Sequence, residues 1–425
     1  MVGEIVTLDG DRQVPQADRL ARSERQPARA SVRFADCQLE DLYPLIPKAA
    51  PMDDVDPPEA GPPIDAIDAV FQVYETRQHG DRLLYFGEPV VPRDAVMERL
   101  WPAFRDRGLE VQLTRQTGEH VLVAEPIDVG VDGIPWTNVL LAIATVISTL
   151  WAGATWYYVQ DPLGHPLETI ATAWPFALAV LGVLGIHELG HYVMSRHHNV
   201  EASLPYFLPM PTIIGTMGAV IKMKGQMPNR KALFDIGVAG PIAGLVATIV
   251  VTAIGLSLPP ITVPEWVLTS ANTYEVQFGY PPLFRGIAWA IGQPLGYEDP
   301  SLAMNPVVFG GWVGMFVTFL NLLPVGQLDG GHIVRAVLGE RQTTVAAIVP
   351  GAMFGLAGYL YYLRDAGSAV GIWVFWGLLA LVLAYAGPAR PVHDEALDLP
   401  RKAVGILTLV LGLLCFTPIP IQIIT

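Results

Sequence analysis

The sequence predicts an all-α polytopic membrane protein of about seven transmembrane helices, preceded by a small α+β soluble domain. Apolar residues make up 52% of the 425 residues, charged residues only 16%, and the mean hydropathy is +0.39. This is more apolar surface than one soluble core requires. The apolar residues also fall into separate runs of about 20, the length that crosses a hydrocarbon core as a helix. These runs begin only after about residue 135.

The first 62 residues are polar, charged and rich in proline. They contain no short apolar stretch followed by a small-residue cleavage site, so we expect no signal peptide. Because they offer little apolar surface to offset the entropy of ordering, residues 1–62 are expected to be disordered. Anchoring in the membrane then depends on internal helices.

Residues 63–130 have the pattern of a small α+β domain in water. Alternating apolar and polar residues predict four strands, and an amphipathic repeat predicts one helix. The predicted elements are strands at 71–76 and 82–86, a helix at 93–107, and strands at 109–114 and 120–124.

Residues 134–425 are predicted to form the transmembrane domain. The seven predicted spans are 134–157, 169–195, 233–256, 304–323, 344–363, 370–386 and 403–419. Arginines and lysines follow the second, fourth and sixth spans, for example Arg196, Arg335 and Arg390, so these loops are expected on the cytoplasmic side. The N-terminal domain is then cytoplasmic too, and we expect a multi-pass protein of the cell membrane.

Two pairs of glycines have the spacing that allows helix backbones to approach closely in lipid. Gly240 and Gly244 lie on the third span, and Gly310 and Gly314 lie on the fourth. The spacing predicts tight packing between these two helices, whereas the alternative is ordinary glycine content in a membrane helix.

The second span ends in the sequence His187-Glu188-Leu189-Gly190-His191, an H-E-x-x-H motif at membrane depth. On a helix the two histidines lie one turn apart on the same face and can bind one metal ion, while Glu188 is placed to activate water. Ionisable groups in hydrocarbon are costly unless coordinated or paired, which favours a functional site. The alternative is a helix end at the interface, where the motif simply reaches water.

A zinc site usually has three protein ligands, and the fourth span offers the third. This span and the segment after it are predicted to form one helical region over 304–332, broken by Pro324 and by the glycines around Asp329. Asp329 would then lie at the same membrane side as the two histidines. The alternative for Asp329 alone is an N-cap of a following helix.

Together these motifs resemble the site-2 protease family of intramembrane metalloproteases, which carries an HExxH helix and a distant N-x-x-P-x-x-x-x-D-G. Here the second motif runs from Asn321 through Pro324 to Asp329 and Gly330. The resemblance covers about 134–386. It implies one Zn²⁺ per chain, Glu188 as the base and Asp329 as a ligand. It also implies that Asn321 holds the substrate or stabilises the oxyanion.

The segment 201–230 contains Gly215, Thr216 and Gly218 and is too broken by prolines to be a spanning helix. The family places a membrane-dipping β-hairpin here, whose edge can pair with an unwound substrate. The alternative is a cytoplasmic loop with glycine turns.

The glycine-rich segment and the soluble domain are most similar to the branch shared by archaea, cyanobacteria and plastids. The connection 257–303 is too short for the PDZ domain of many members.

His332, three residues after Asp329, is predicted as a spare ligand or a neighbour that supports the ligands. The other histidines show no ligand spacing with one another and are interpreted as interfacial or surface residues.

The function implied is an intramembrane zinc metalloprotease that hydrolyses peptide bonds of transmembrane substrate proteins. Its partners are those substrates and the lipid bilayer. Nucleic acid is disfavoured, because the chain has 40 acidic against 26 basic residues and a net charge of -14. Two alternatives stay open: a membrane metal transporter, and an inactive homologue that binds membrane proteins without cutting them.

Overall fold

The computed structural model describes residues 61–116, 118–127, 134–224, 226–269, 275–364 and 366–424. The predicted disordered segment 1–62 lies outside these residues, except for Gly61 and Pro62. The chain is mostly helical from residue 134 onward, with a small α+β region before it.

The α+β region is a four-stranded antiparallel sheet with helices on one face. Its elements are α1 (Ile64–Asp68), β1 (Phe71–His79), β2 (Arg82–Pro89), α2 (Arg93–Arg105), β3 (Leu109–Gln116) and β4 (Glu119–Pro126). The strand order is β1-β2-β4-β3. The core is mostly aliphatic and includes Phe71, Tyr85 and Phe104, and the rings of Tyr85 and Phe104 meet edge to face at 5.7 Å. The four strands and the helix predicted from the sequence are confirmed.

Five helical stretches in the described part of the chain are long and apolar enough to cross a membrane. They are Trp136–Trp156, Pro166–His197, Arg230–Ser257, Asp329–Leu363 and Ala369–Ala386. The helices concerned are α3 (Trp136–Trp156), α4 (Pro166–His197), α5 (Arg230–Ser257), α9 (Asp329–Leu338), α10 (Gln342–Leu363) and α11 (Gly367–Ala386), with a 3₁₀ turn at Gly339–Arg341 between α9 and α10.

The predicted count of seven spans is not confirmed. The fourth predicted span is only the 15-residue α8 (Val307–Asn321), and the seventh overlaps the 16-residue α12 (Leu399–Leu414) without matching its ends. Both are shorter than the ~20 residues that match a hydrocarbon core. Most of α8 is buried against α4 and α5, so protein rather than lipid surrounds it. An enclosed helix does not need to match the lipid thickness.

The region predicted as one helical segment over 304–332 is two helices. Helix α8 ends at Asn321, a turn containing Pro324 follows, and α9 begins at Asp329. The N-cap position of α9 is Leu328, which makes no side-chain capping hydrogen bond. Asp329 is therefore the first residue of α9 and does not occupy the N-cap position.

The connections contain short helices and paired strands. The remaining helices are α6 (Glu265–Thr269) and α7 (Pro282–Ile291). The remaining strands are β5 (Glu201–Ala202), β6 (Tyr206–Pro209), β7 (Thr216–Val220), β8 (Met223–Lys224), β9 (Met227–Asn229), β10 (Ile261–Thr262), β11 (Glu275–Phe278), β12 (Leu302–Ala303), β13 (Pro391–His393) and β14 (Ile421–Ile424). Strands β6 and β7 form an antiparallel hairpin inside the segment 201–230.

The α+β region contacts the segments that flank α4 and α5. Arg105 donates a hydrogen bond to the carbonyl of Asn199, just after α4. The backbone N–H and side-chain amide of Gln226, just before α5, donate to the Glu110 carboxylate and the Val111 carbonyl at 2.8 and 3.1 Å. These contacts fix the sheet next to the ends of the two helices that surround the candidate site.

Candidate metal centre

The H-E-x-x-H motif lies in the last third of α4, turned toward the protein interior. His187, Glu188 and His191 expose only 4%, 6% and 7% of their surface. Three ionisable side chains buried together on a membrane helix are costly unless something coordinates or pairs them. Their environment therefore has to supply a partner of opposite charge or a metal ion.

Asp329, at the start of α9, meets the two histidines. Its two carboxylate oxygens lie 3.2 Å from the Nε2 atoms of His187 and His191, and those two Nε2 atoms lie 3.1 Å apart. Within the described residues these three form the group whose ligand atoms converge closely enough to hold a metal ion. Three donors about 3.2 Å apart can each lie about 2 Å from one centre, as zinc requires, and leave one side open.

The hydrogen bond of His191 identifies which of its nitrogens is free to bind a metal. Its Nδ1 lies 2.8 Å from the backbone carbonyl oxygen of Ile236 on α5. A carbonyl only accepts, so Nδ1 carries the proton and the lone pair of Nε2 faces the other two donors. An imidazole fixed in this way is the usual form of a metal-ligating histidine. The donor set fits zinc: two neutral imidazoles and one carboxylate.

Glu188 is buried beside this group but does not belong to it. Its carboxylate lies beside the backbone N–H of Ile221, which directly follows β7. The carboxylate is thus held between the two histidine positions and the end of the hairpin. A carboxylate beside a metal group and a strand edge can accept a proton from water and return it.

Asn321, the last residue of α8, borders the ligand group. Its Nδ2 lies 3.2 Å from Nε2 of His187. It also lines a groove of about 510 Å³ between the hairpin, α4, α8 and α11, with Leu184, Gly218, Phe316 and Phe375 among the lining residues. Asn321 therefore stands where this mostly apolar groove meets the candidate metal centre.

The three hairpin residues singled out from the sequence have different surroundings. Gly215, at φ +82°, packs on α3, where its carbonyl accepts a 2.6 Å hydrogen bond from Ser148. The hydroxyl of Thr216 donates to the Leu208 carbonyl at 2.9 Å and is buried. Gly218, at φ +118°, has open space above its Cα and lines the groove. Of the three, Gly218 and Thr216 reach the groove, and Gly215 attaches the hairpin to α3.

His332 is buried on α9 one turn after Asp329, but it is not a member of the three-ligand group. Its Nδ1 has no hydrogen-bond partner among the described residues.

His198, which the sequence placed at the interface, lies 3.0 Å from the carboxylate of Asp235. The same carboxylate accepts two hydrogen bonds from Arg401 on α12, at 2.8 and 2.9 Å. Sequence reasoning did not find this cluster, because its members show no motif spacing.

The fold and the site together define a class: a helical membrane protein with a buried group of two histidines and one aspartate. Residues 175–357 match the family model for Peptidase family M50, the site-2 protease family. This part of the chain is similar to that family. This match includes all three members of the ligand group together with Glu188 and Asn321, as the resemblance in sequence implied.

The chain is similar to plant proteins named for the chloroplast. It is 31% identical to the probable zinc metalloprotease EGY1 of Arabidopsis thaliana over 67% of this chain and 51% of that protein. It is 30% identical to EGY2 of the same plant over 60% and 43%, and 27% identical to EGY3 over 81% and 62%. The chain thus spans about half the length of these relatives. No solved structure matches it.

Proposed function

We propose that this protein is an intramembrane zinc metalloprotease that hydrolyses peptide bonds of transmembrane substrate proteins. One observation carries the proposal. The ligand atoms of His187, His191 and Asp329 converge on one point beside the buried carboxylate of Glu188, on helices long enough to span a membrane. The family that part of the chain resembles, and the names of its relatives, support the same reaction.

In this proposal each residue has one role. His187, His191 and Asp329 hold one zinc ion per chain, which supplies Lewis acidity when bound. Glu188 removes a proton from the attacking water and then gives it to the amine of the departing peptide. Asn321 lies at the edge of the ligand group, where its amide N–H can donate to the oxygen of the scissile carbonyl.

The groove and the hairpin suggest how a substrate is held. Within the described residues β7 pairs only with β6, so no other strand covers its second edge. The backbone N–H of the following residue, Ile221, lies beside the carboxylate of Glu188, which brings this edge close to the proposed base. We propose that a substrate segment unwound into a strand pairs with β7 and lies in the groove. Strand pairing exposes the peptide bond that a helix would bury.

The arginines and lysines in the loops suggest how the protein is oriented in the membrane. Residues 63–130 form a soluble domain and 134–425 the transmembrane protease domain, with the arginine-rich loops on the cytoplasmic side. Since the α+β region contacts Asn199 and Gln226 at the ends of α4 and α5, it lies on that side as well. We place the protein in the cell membrane with this domain in the cytoplasm, where it can take the place of a PDZ domain in choosing substrates.

The test is cleavage of a single-pass model substrate by the purified protein, with zinc measured in the same samples. Glu188→Gln should abolish cleavage while zinc stays bound, because the amide cannot take a proton. Glu168→Gln is the matched control, since Glu168 is an exposed glutamate at the start of the same helix. Cleavage by Glu188→Gln equal to that of the wild type would show that this site does not catalyse the reaction. If the wild type binds zinc but does not cleave, the protease assignment is wrong. A transporter or a binding protein would then explain the bound metal.

A further inference from the structure

Helix α5 contributes no side chain to the ligand group, yet its glycines face the group along one side. Gly237, Gly240 and Gly244 are spaced so that they share one face of the helix. We propose that α5 positions the ligands: Gly240 and Gly244 provide the space that the two imidazole rings occupy, and the Ile236 carbonyl fixes one ring. This inference rests on the proposed zinc site and goes beyond it, to residues outside the motifs.

Gly240 makes the tightest approach. A Cβ placed on it would lie closer than 3.0 Å to three ring atoms of His191, including Nε2, the atom that faces Asp329. Real Cβ atoms essentially never show such distances, so the ring would have to move. The ring is already held at its other nitrogen by the 2.8 Å hydrogen bond to Ile236. It cannot move away from a methyl group at residue 240 without losing this bond or its place in the ligand group.

The contacts become less severe along the same face. A Cβ on Gly244 would lie 2.8 Å from Nδ1 of His187 and 3.0 Å from its Cβ. A Cβ on Gly237 would lie 2.9 Å from Cβ of His332 and 3.6 Å from the carbonyl oxygen of Asp329. The glycine face therefore touches both histidine ligands and the first turn of α9. The predicted effect on the metal site falls in the order Gly240, Gly244, Gly237.

This differs from the packing predicted from the glycine spacing. The spacing predicts tight packing between α5 and α8, and these helices do pack on each other, but Gly240 and Gly244 meet the ligand rings of α4. Helix α8 packs on α5 through Gly311 and Gly314 against Thr252 and Thr248. Because residues 244, 248 and 252 are each four apart and share one face of α5, the contact with the metal group and the contact with α8 are separated along the helix axis.

Two other glycines serve as matched controls. Gly182 lies on α4, the helix of both histidines, and has nothing within 4 Å of the position of a Cβ. Gly255 lies on α5, where a Cβ would lie 2.6 Å from the backbone nitrogen of Val308, far along the helix from the histidines. Gly182→Ala introduces a methyl group without a clash, and Gly255→Ala introduces a clash without contact to a ligand.

The experiment measures zinc affinity of the purified full-length protein by competition with a chelating indicator. Thermal unfolding of the metal-free form is measured in parallel, and cobalt(II) substitution gives an absorption spectrum that depends on ligand arrangement. We expect Gly240→Ala to weaken zinc binding about 10- to 100-fold, the range seen when residues that orient a ligand are changed. The absorption spectrum of its cobalt form should change, and its metal-free form should unfold at a temperature close to that of Gly182→Ala. Gly244→Ala should show a smaller loss of affinity.

Gly255→Ala should lower the unfolding temperature of the metal-free protein while the folded fraction binds zinc as the wild type does. The inference is overturned if Gly240→Ala binds zinc as tightly as Gly182→Ala, or if it behaves like Gly255→Ala and loses only stability. A wild type that binds no zinc would contradict the proposed function itself, together with this inference, and that result is distinguishable from the others.

Discussion

The α+β region and the transmembrane region of this chain differ less in the rings that they bury than in the residues that they expose. Phe176 and Trp312 of the transmembrane region, at 0% and 2% exposed, are buried as deeply as the rings of the α+β core. In the α+β region the large rings are inside: Phe71, Tyr85 and Phe104 expose 0–1% of their surface. In the transmembrane region large apolar residues such as Leu178 point outward, with 62% exposed, while threonines and glycines lie between the helices.

The difference follows from the two solvents. In water, burying an apolar ring is favourable in itself, so the core fills with large residues. In lipid an apolar ring gains little by moving inward, and helices associate through close packing of small residues and through polar contacts. A site built from ionisable groups can therefore occupy the interior of the transmembrane region, provided that small residues surround it.

The largest expected effect is the loss of a ligand from that interior. Asp329→Ala should weaken zinc binding by more than about 100-fold, since loss of a direct ligand should exceed the 10- to 100-fold effect of residues that only orient ligands. Cleavage should be lost with it, and the unfolding of the α+β region should be unchanged. Zinc titration with cleavage assays checks this. Glu340→Ala, an exposed acid on the neighbouring 3₁₀ turn, is the control. Equal zinc affinity in both variants would remove Asp329 from the ligand group.

The next effect belongs to the water-exposed region. Phe104→Ala should destabilise the α+β fold by about 3–5 kcal/mol, because it leaves a cavity where a fully buried ring packs on Tyr85. Limited proteolysis within 63–126 should become faster while zinc stays bound. Tyr74→Ala, at a site 55% exposed, should change little. If the proteolysis rates of the two variants agree, the ring of Phe104 does not stabilise the α+β core.

A smaller effect is expected from adding one methyl group between membrane helices. A Cβ on Gly310 of α8 would lie 2.6 Å from Cβ of Ala179 on α4, so Gly310→Ala should cost about 1–3 kcal/mol through overpacking. Gly351→Ala on α10, where nothing lies within 4 Å, should be close to neutral. Denaturation in detergent measures both. A Gly310→Ala variant as stable as Gly351→Ala would show that α4 and α8 are not closely packed.

The smallest effect is a pH dependence confined to the α+β region. Burial raises the pKa of Tyr85 to about 12, above the value near 10 of an exposed tyrosine. The unfolded chain therefore ionises first, and stability should fall as the pH rises from about 10 toward 12. Tyr85→Phe removes this contribution, so its stability should fall less steeply over the same interval. Unfolding curves for both proteins that remain parallel between pH 9 and 12 would contradict the shift.

Much of the fold could be predicted from the residue patterns that water and lipid each favour. The alternation of apolar and polar residues identified the four strands of the α+β region. The length of the apolar runs identified the five described stretches that are long and apolar enough to cross a membrane. Apolar length wrongly predicted full membrane spans at α8 and α12, which are only 15 and 16 residues long. Apolar composition does not distinguish a helix in lipid from a short one enclosed by protein, as α8 shows. The two-residue strands in the connections carry too few residues for any periodicity.

The ligand group could be predicted because its spacing is local: two histidines one turn apart, and an aspartate marked by its own motif. Asn321 was found by the same motif, and the structure places it at the edge of the group. The carbonyl of Ile236 could not be found, since a backbone atom leaves no mark in the sequence. The spacing of Gly240 and Gly244 was visible, but only the packing shows that it faces the histidines.

The most direct test of the account is X-ray absorption of the purified protein at the zinc edge, combined with metal analysis. We predict one zinc per chain, bound by two imidazole nitrogens and by oxygen donors at about 2 Å. His191→Ala should reduce the imidazole signal or abolish zinc binding. A wild type that binds no zinc, or binds it without imidazole, would contradict the central claim that α4 and α9 together form a metal centre.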